Sequence, residues 1–228
     1  MTDHAHDLAC VRDATEKLLN AVAQLDNASL AEPSRLPGWS RGHVLAHLAR
    51  NADALVNVLE GRPMYASAEA RDADIEDGAA RPLETQLADL RESTDRFRAV
   101  GDAPADWTRT VELRNGVTDD AAQVPFRRWA EVELHHVDLG TGYDLEDLPA
   151  EFLERETEFL TLRFSGNPGV PATRVTDGTH TWSTGRSADE PEVTVSGTPA
   201  DLLGWLAGRR DGSGLTTDGG ALPKLPPL

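Results

Sequence analysis

The chain has 228 residues and a formal net charge of -17, from 22 Lys and Arg against 39 Asp and Glu. This balance argues against a nucleic-acid partner or an anionic membrane surface, because both require a basic face to neutralise phosphate. Its single cysteine, Cys10, excludes an intramolecular disulfide, and no apolar run approaches the ~20 residues of a membrane span. The N-terminal residues do not resemble a signal peptide, so we expect a cytoplasmic protein.

Five amphipathic helices are predicted in the first part of the chain. In each, apolar residues recur at spacings of three and four, which places them on one face. The predicted ranges are 3–26, 41–59, 83–101, 125–139 and 149–165. Ser40 is a suitable N-cap for the second helix, and Gly61 followed by Pro63 ends it.

Two connections between these helices are long. Segment 63–82 is polar, acidic and only weakly periodic, and a connection of this length in a compact domain is usually functional or disordered. Segment 102–120 contains Trp107 and is interpreted as a linker. The sequence therefore predicts loops in both places.

The composition changes after Ser165. Thr and Val surround Asp177-Gly178, a strong hairpin signal, and EVTVSG at 192–197 is typical of a further strand. Thr198-Pro199 begins a short predicted helix. The sequence thus predicts an α+β protein, with an all-helical domain over residues 1–165 and a small α/β domain over residues 166–228.

Two predicted helices carry paired histidines. Glu131 and His135 are four residues apart, so both side chains lie on one face of the fourth helix. Arg128 precedes them on this helix, and Asp138 continues the same face one turn after His135. His47 lies near the apolar stripe of the second helix, one turn after His43. Two imidazoles and one carboxylate with an open fourth position are typical of catalytic zinc.

Spacing alone leaves other interpretations open. Glu131 and His135 also suit a simple intrahelical pair, and a histidine beside an apolar stripe is more often part of a satisfied core. Glu133 and His136 have the Glu-x-x-His spacing of di-metal carboxylate bundles, but those bundles need a second such motif, which this chain lacks. Asp138 suits either a group that orients a ligand imidazole or a plain helix-end residue.

Four segments resemble a known family. PSRLPGWSRGHVLAHLARNADAL at 33–55 resembles the signature of DinB-like metal-dependent four-helix bundles. PMYASAEARDADIEDGA at 63–79 and RRWAEVELHHVDLGTGY at 127–143 are similar to mycothiol-dependent maleylpyruvate isomerases, as is SGTPADLLGWLAGRR at 196–210. The resemblance covers essentially the whole chain. It implies an N-terminal DinB-like up-down four-helix bundle and a small C-terminal α/β domain.

The resemblance also implies site residues. By position, His47, Glu131 and His135 are the zinc ligands, which makes His43 and His136 neighbours rather than ligands.

Two arginines are implied in catalysis by the same resemblance. The family has an important arginine in its C-terminal domain, and the AGRR stretch places it at Arg209, with Arg210 adjacent. Arg71, in the 63–79 loop, matches another family arginine that suits a substrate carboxylate, because a guanidinium binds a carboxylate through two parallel bonds.

The implied reaction converts maleylpyruvate to fumarylpyruvate in gentisate catabolism, with zinc and mycothiol as cofactors. A thiolate adds to the alkene, the resulting single bond rotates, and the thiolate leaves; the thiol belongs to mycothiol, not to Cys10. The expected partners are mycothiol and a small dicarboxylate, and the expected state is a monomer. Two alternatives remain. One is a mycothiol S-transferase acting on other electrophiles, and the other is a non-enzymatic zinc regulator in which His43 or Asp138 is a fourth protein ligand of the metal.

Overall fold

The computed structural model describes residues 3–227, and the chain divides into two compact units, 1–143 and 144–228. The helices of the first unit are α1 (His4–Val22), α2 (Asn27–Ala31), α3 (Arg41–Leu59), α4 (Ala68–Ala79), α5 (Leu83–Gly101) and α6 (Val124–Asp138). Helix α3 packs against α5 and α6, and α1 packs against the same two helices. The four long helices therefore form the predicted bundle around one apolar core.

Helix α3 has the predicted bounds and the predicted N-cap. The backbone N–H of His43 donates to Ser40 Oγ over 3.4 Å, and the Ser40 N–H donates to His43 Nδ1 over 3.1 Å. This reciprocal capping box satisfies two backbone donors that the first turn of a helix leaves without partners.

The segment predicted as a long loop contains helix α4, so that prediction is wrong. Ser67 caps the helix by accepting from the Ala70 N–H, and Ile75 and Gly78 are its only buried residues. So few buried positions leave almost no apolar periodicity to detect. The helix packs on α3, and a Cβ at Gly78 would lie 2.7 Å from Ala46 Cβ, so this close approach requires glycine.

The predicted linker at 102–120 contains a short hairpin. Strands β1 (Thr110–Glu112) and β2 (Thr118–Asp120) pair antiparallel, and a 3-10 turn at Arg114–Gly116 connects them. Asn115 has a φ of 61° in this turn, a left-handed conformation that asparagine tolerates. Strands of three residues are too short to show a clear alternation of apolar and polar positions.

The second unit combines two helices with a four-stranded sheet. Its elements are α7 (Ala150–Phe164), β3 (Thr173–Thr176), β4 (Thr181–Thr184), β5 (Val193–Ser196), α8 (Pro199–Leu206) and β6 (Thr216–Asp218). The strand order is β4-β3-β5-β6, with β3 and β5 parallel and the other pairs antiparallel. The predicted Asp177-Gly178 hairpin joins β3 to β4, and the predicted α+β fold is confirmed.

The division between the units differs from the predicted boundary at residue 165. The fifth predicted helix is α7, which belongs to the second unit and packs on α8 and β4. Its periodicity identifies a buried face that includes Phe152 and Leu160, but periodicity carries no information about which core that face joins. Among the described residues, every helix is too short or too polar to span a bilayer.

Candidate metal centre

Helices α3 and α6 bring three ligand-type side chains together. His47 Nε2 donates to Glu131 Oε2 over 2.9 Å, and His135 Nε2 lies 3.3 Å from the same oxygen. All three ligand atoms lie within 4.8 Å of one another. His47 is only 6% exposed, and the other two residues are partly buried. The residues that the sequence assigned to a metal site thus converge on one point.

The geometry of this cluster fits zinc. Tetrahedral ligands at ~2.0 Å from the ion lie about 3.3 Å apart, close to the separations around Glu131 Oε2. Two imidazoles and one carboxylate leave a fourth position open, as catalytic zinc requires. Helix geometry supplies one side of the site, since Glu131 and His135 are one turn apart on α6, and the packing of α3 against α6 adds His47.

Asp138 supports the cluster from behind His135. It is fully buried, and its Oδ2 accepts from His135 Nδ1 over 2.9 Å. With Nδ1 engaged by Asp138, Nε2 is the ring nitrogen that faces Glu131 and is available to a metal. Carboxylates commonly fix the tautomer and orientation of metal-binding histidines in this way.

The pKa shifts of the cluster favour an ionised carboxylate at its centre. Burial acts to raise the pKa of Glu131, but hydrogen bonds with His135 and His47 outweigh it and hold this pKa well below its usual value. Burial lowers the pKa of His47. Burial also acts to lower the pKa of His135, but hydrogen bonds to Asp138 and Glu131 outweigh it and raise that pKa. The carboxylate at the centre is therefore ionised at neutral pH.

His43 does not complete the coordination sphere. Its Nδ1 faces Ser40 in the capping box, and its Nε2 lies 3.1 Å from Glu76. Asp138 accepts from Nδ1, the ring nitrogen of His135 that points away from the cluster. Among the described residues the cluster therefore offers three candidate ligands, and the two candidates for a fourth protein ligand, His43 and Asp138, bond elsewhere.

The alternative pair of Glu133 and His136 lies outside the cluster. Glu133 accepts hydrogen bonds from Trp129 Nε1 over 3.1 Å and from Tyr143 Oη over 2.8 Å. His136 stacks on Tyr143, with ring centroids 4.0 Å apart. These contacts make both residues part of the bundle interior.

Arg71 lies beside the cluster, on α4 rather than in a loop. Its Nη2 donates to His47 Nδ1 over 3.3 Å, its Nη1 donates to Asp72 over 2.8 Å, and only 14% of its side chain is exposed. Its guanidinium carbon lies 5.8 Å from the centre of the Tyr65 ring. Helix α4 thus places a cation next to a predicted metal ligand.

Comparison with known protein families identifies the family of this chain. The model of the mycothiol maleylpyruvate isomerase N-terminal domain matches residues 11–140. This chain belongs to the mycothiol maleylpyruvate isomerase family. The model of the family's C-terminal domain matches residues 147–227, so the two matches together cover most of the chain.

Solved structures agree with this family assignment. A crystal structure of a mycothiol-dependent maleylpyruvate isomerase matches with a TM-score of 0.89 and 28% sequence identity, covering 99% of this chain and 97% of that one. A histidine-to-alanine mutant of such an isomerase matches with a TM-score of 0.89 and 27% identity over the same shares. A search of the curated proteins gives no significant match.

The two arginines predicted in the second unit of this family member differ in their contacts. Arg210 Nη1 donates to Asp201 over 2.6 Å, and its Nη2 donates to Glu146 over 2.5 Å. Arg209 Nη1 donates to the Ala207 carbonyl over 2.8 Å. Two carboxylates of its own unit therefore hold Arg210.

Sequence reasoning missed Tyr65. This residue lines a cavity of about 560 Å³ between segment 61–68 and the β1–β2 hairpin, and it lies against Arg71. Burial, followed by the charge of Glu131, raises the pKa of Tyr65, so the phenol stays protonated at neutral pH. The one sequence feature that pointed to Tyr65 was its place in segment 63–79, which is similar to the family.

Replacing Asp138 by asparagine tests the support of His135. We expect Asp138→Asn to weaken zinc binding by about 10- to 100-fold, because the neutral amide no longer favours the proton on His135 Nδ1. The measurement is zinc affinity by competition with a chromophoric chelator. Glu133→Gln is the matched control, because Glu133 is a buried carboxylate of the same helix outside the cluster. Equal zinc affinities for Asp138→Asn and the unsubstituted chain would contradict this prediction.

Proposed function

We propose that the chain is a zinc- and mycothiol-dependent isomerase that converts maleylpyruvate to fumarylpyruvate in gentisate catabolism. One observation carries the proposal. The side chains of His47, Glu131 and His135 converge into a three-ligand site in a chain that belongs to the mycothiol maleylpyruvate isomerase family.

His47, Glu131 and His135 would hold the metal. Bound there, a metal would lower the pKa of a coordinated thiol, so that mycothiol could supply a thiolate at neutral pH. The chain's own part is to keep Glu131 ionised and, through Asp138, to hold the His135 proton on Nδ1.

Arg71 and Arg209 are proposed to bind and stabilise the anionic substrate. An acidic chain repels a dicarboxylate unless cations are placed locally. Arg71 meets this need from α4, beside His47. We assign Arg209 to the negative charge that develops on the substrate during the reaction. In this proposal the N-terminal domain holds the metal and the thiol, and the C-terminal domain contributes Arg209.

The proposed partners follow from the same chemistry. The substrate is a small dicarboxylate, and mycothiol is the thiol. The net charge of -17 supports a protein that does not bind nucleic acid or anionic membranes. We propose a monomer that acts in the cytoplasm, where a chain with a lone cysteine needs no oxidising environment.

The function is tested by a spectrophotometric assay of the purified chain on maleylpyruvate. The reaction is followed with and without mycothiol, before and after removal of metal by a chelator, and again after zinc is restored. We expect turnover only when thiol and metal are both present. Bound metal without turnover in the presence of mycothiol would reject the isomerase. Stable S-conjugates formed with other electrophiles would then favour a transferase, and their absence would favour a regulator.

Substitution of Arg71 tests its proposed contact with the substrate. We expect Arg71→Gln to lower kcat/KM by about 10- to 100-fold, mainly through KM, because a hydrogen bond to a charged group contributes about 1.5–3 kcal/mol. Arg71→Lys should recover part of this loss, since it keeps the charge but not the paired geometry. Arg62→Gln is the control, because Arg62 bonds to Asn57 near the same cavity. Equal losses for Arg71→Gln and Arg62→Gln would argue against a specific role.

A further inference from the structure

Arg128 is a buried cation that joins the two helices of the metal site. It lies on α6, one turn before Glu131, and is 0% exposed. Its Nη1 donates to the Leu48 carbonyl over 2.9 Å and to Asn51 Oδ1 over 2.8 Å, both on α3. Burial lowers the pKa of Arg128 to about 10, so the guanidinium remains charged at neutral pH.

The rest of this guanidinium is not satisfied. Within residues 3–227, its Nε and Nη2 are buried and have no hydrogen-bond partner. Burying a charge without a hydrogen-bonded counter-charge is costly, and an apolar side chain of similar size is often as stable or more stable at such a place. Stability alone therefore does not account for an arginine here.

The two hydrogen bonds of Arg128 lie next to the candidate metal ligands. Leu48 directly follows His47, and Asn51 lies one turn further along α3, while Glu131 follows Arg128 by one turn on α6. Because His47 comes from one helix and Glu131 from the other, the separation of their ligand atoms depends on how α3 and α6 are spaced and aligned. Arg128 is a direct polar connection between these helices beside that point.

We propose that Arg128 is a positioning residue that holds α3 against α6 and thereby sets the metal affinity of the cluster formed by His47, Glu131 and His135. This inference rests on the proposed function only for the presence of a metal at this cluster. Its test measures zinc binding, so it can succeed or fail independently of isomerase activity.

The charge of Arg128 makes the test diagnostic. A positive charge near a cation site opposes metal binding, so removing the charge alone would strengthen it. Loss of the two bonds to α3 acts in the opposite direction, because the ligands are then less well preorganised. A fall in zinc affinity on removal of Arg128 therefore reports positioning and not charge.

The experiment uses the full chain with Arg128→Met. We expect the dissociation constant for zinc, measured by chelator competition, to rise tenfold or more, as for other residues that orient metal ligands. We expect the thermal midpoint of the metal-free chain to be retained or raised. The matched control is Arg127→Met, which removes the adjacent guanidinium, whose Nη2 donates to Asp119, and should leave zinc affinity unchanged.

Asn51→Ala provides an independent variant that keeps the guanidinium charge while removing one of its acceptors. We expect its zinc affinity to fall as well, and the losses in the double variant to be less than additive, because both substitutions break the same contact. If Arg128→Met does not fold, Arg128→Lys and Asn51→Ala replace it. Zinc affinities that stay within threefold of the unsubstituted chain, that increase, or that fall equally in Arg127→Met would overturn the proposal.

Discussion

His47→Ala is expected to abolish zinc binding and to lower isomerase turnover by roughly 10³-fold or more. Loss of one of three ligands leaves two groups on α6, and the several kcal/mol that a metal contributes to the reaction are then lost. The measurements are the zinc content of the purified variant and its rate with maleylpyruvate and mycothiol.

His43→Ala is the matched control for this prediction. His43 lies one turn earlier on the same helix, and its ring takes part in the capping box and not in the cluster. We expect this variant to bind zinc normally and to lose about 0.5–1 kcal/mol of stability with its cap. If His43→Ala lost its zinc and His47→Ala kept it, the ligand assignment would be wrong.

Arg209→Ala is expected to lower kcat by about 10²- to 10³-fold with little change in thermal stability. This is the typical effect of removing a donor aimed at charge that develops in the transition state. Arg209→Lys should restore only part of the rate, since a lysine keeps the charge without the fork of donors. Steady-state kinetics over a range of maleylpyruvate concentrations separate kcat from KM.

Arg210→Ala should give the opposite pattern. Its ion pairs with Asp201 and Glu146 are partly exposed, so their loss should lower the free energy of unfolding by about 1 kcal/mol or less and leave kcat nearly unchanged. The adjacent arginine thus serves as a control of the same size and charge. A large loss of kcat in Arg210→Ala with normal turnover in Arg209→Ala would reverse the two assignments.

Much of the helical framework follows from local sequence. Helix α3 has the predicted bounds because Ser40 supplies a cap and an unbroken apolar stripe follows it. The Asp177-Gly178 turn is equally local, since Asp177 Oδ1 accepts from the N–H groups of Thr179 and His180. Helix α4 escaped prediction because its stability comes from packing on α3 and not from an apolar stripe of its own.

In the candidate site, too, local sequence predicts some features and only tertiary packing determines the others. Four-residue spacing predicted that Glu131 and His135 share a face, and the resemblance to a family added His47. Spacing alone could not decide between the Glu131–His135 pair and the Glu133–His136 pair, because all four residues lie on α6. The structure separates them by surroundings, since Glu133 bonds to Trp129 and Tyr143 inside the bundle.

The sequence by itself determined the elements whose signals are local: the long helices, the α+β composition, the acidic surface charge and the Glu131–His135 pair. Tertiary structure alone decided which unit α7 joins, that Arg71 lies against His47, and that Arg128 ties α6 to α3. The reason is physical. Periodicity and capping depend on residues within a few positions of one another, whereas the contacts of Arg71 and Arg128 join groups 24 and 80 positions apart and exist only after the helices have packed.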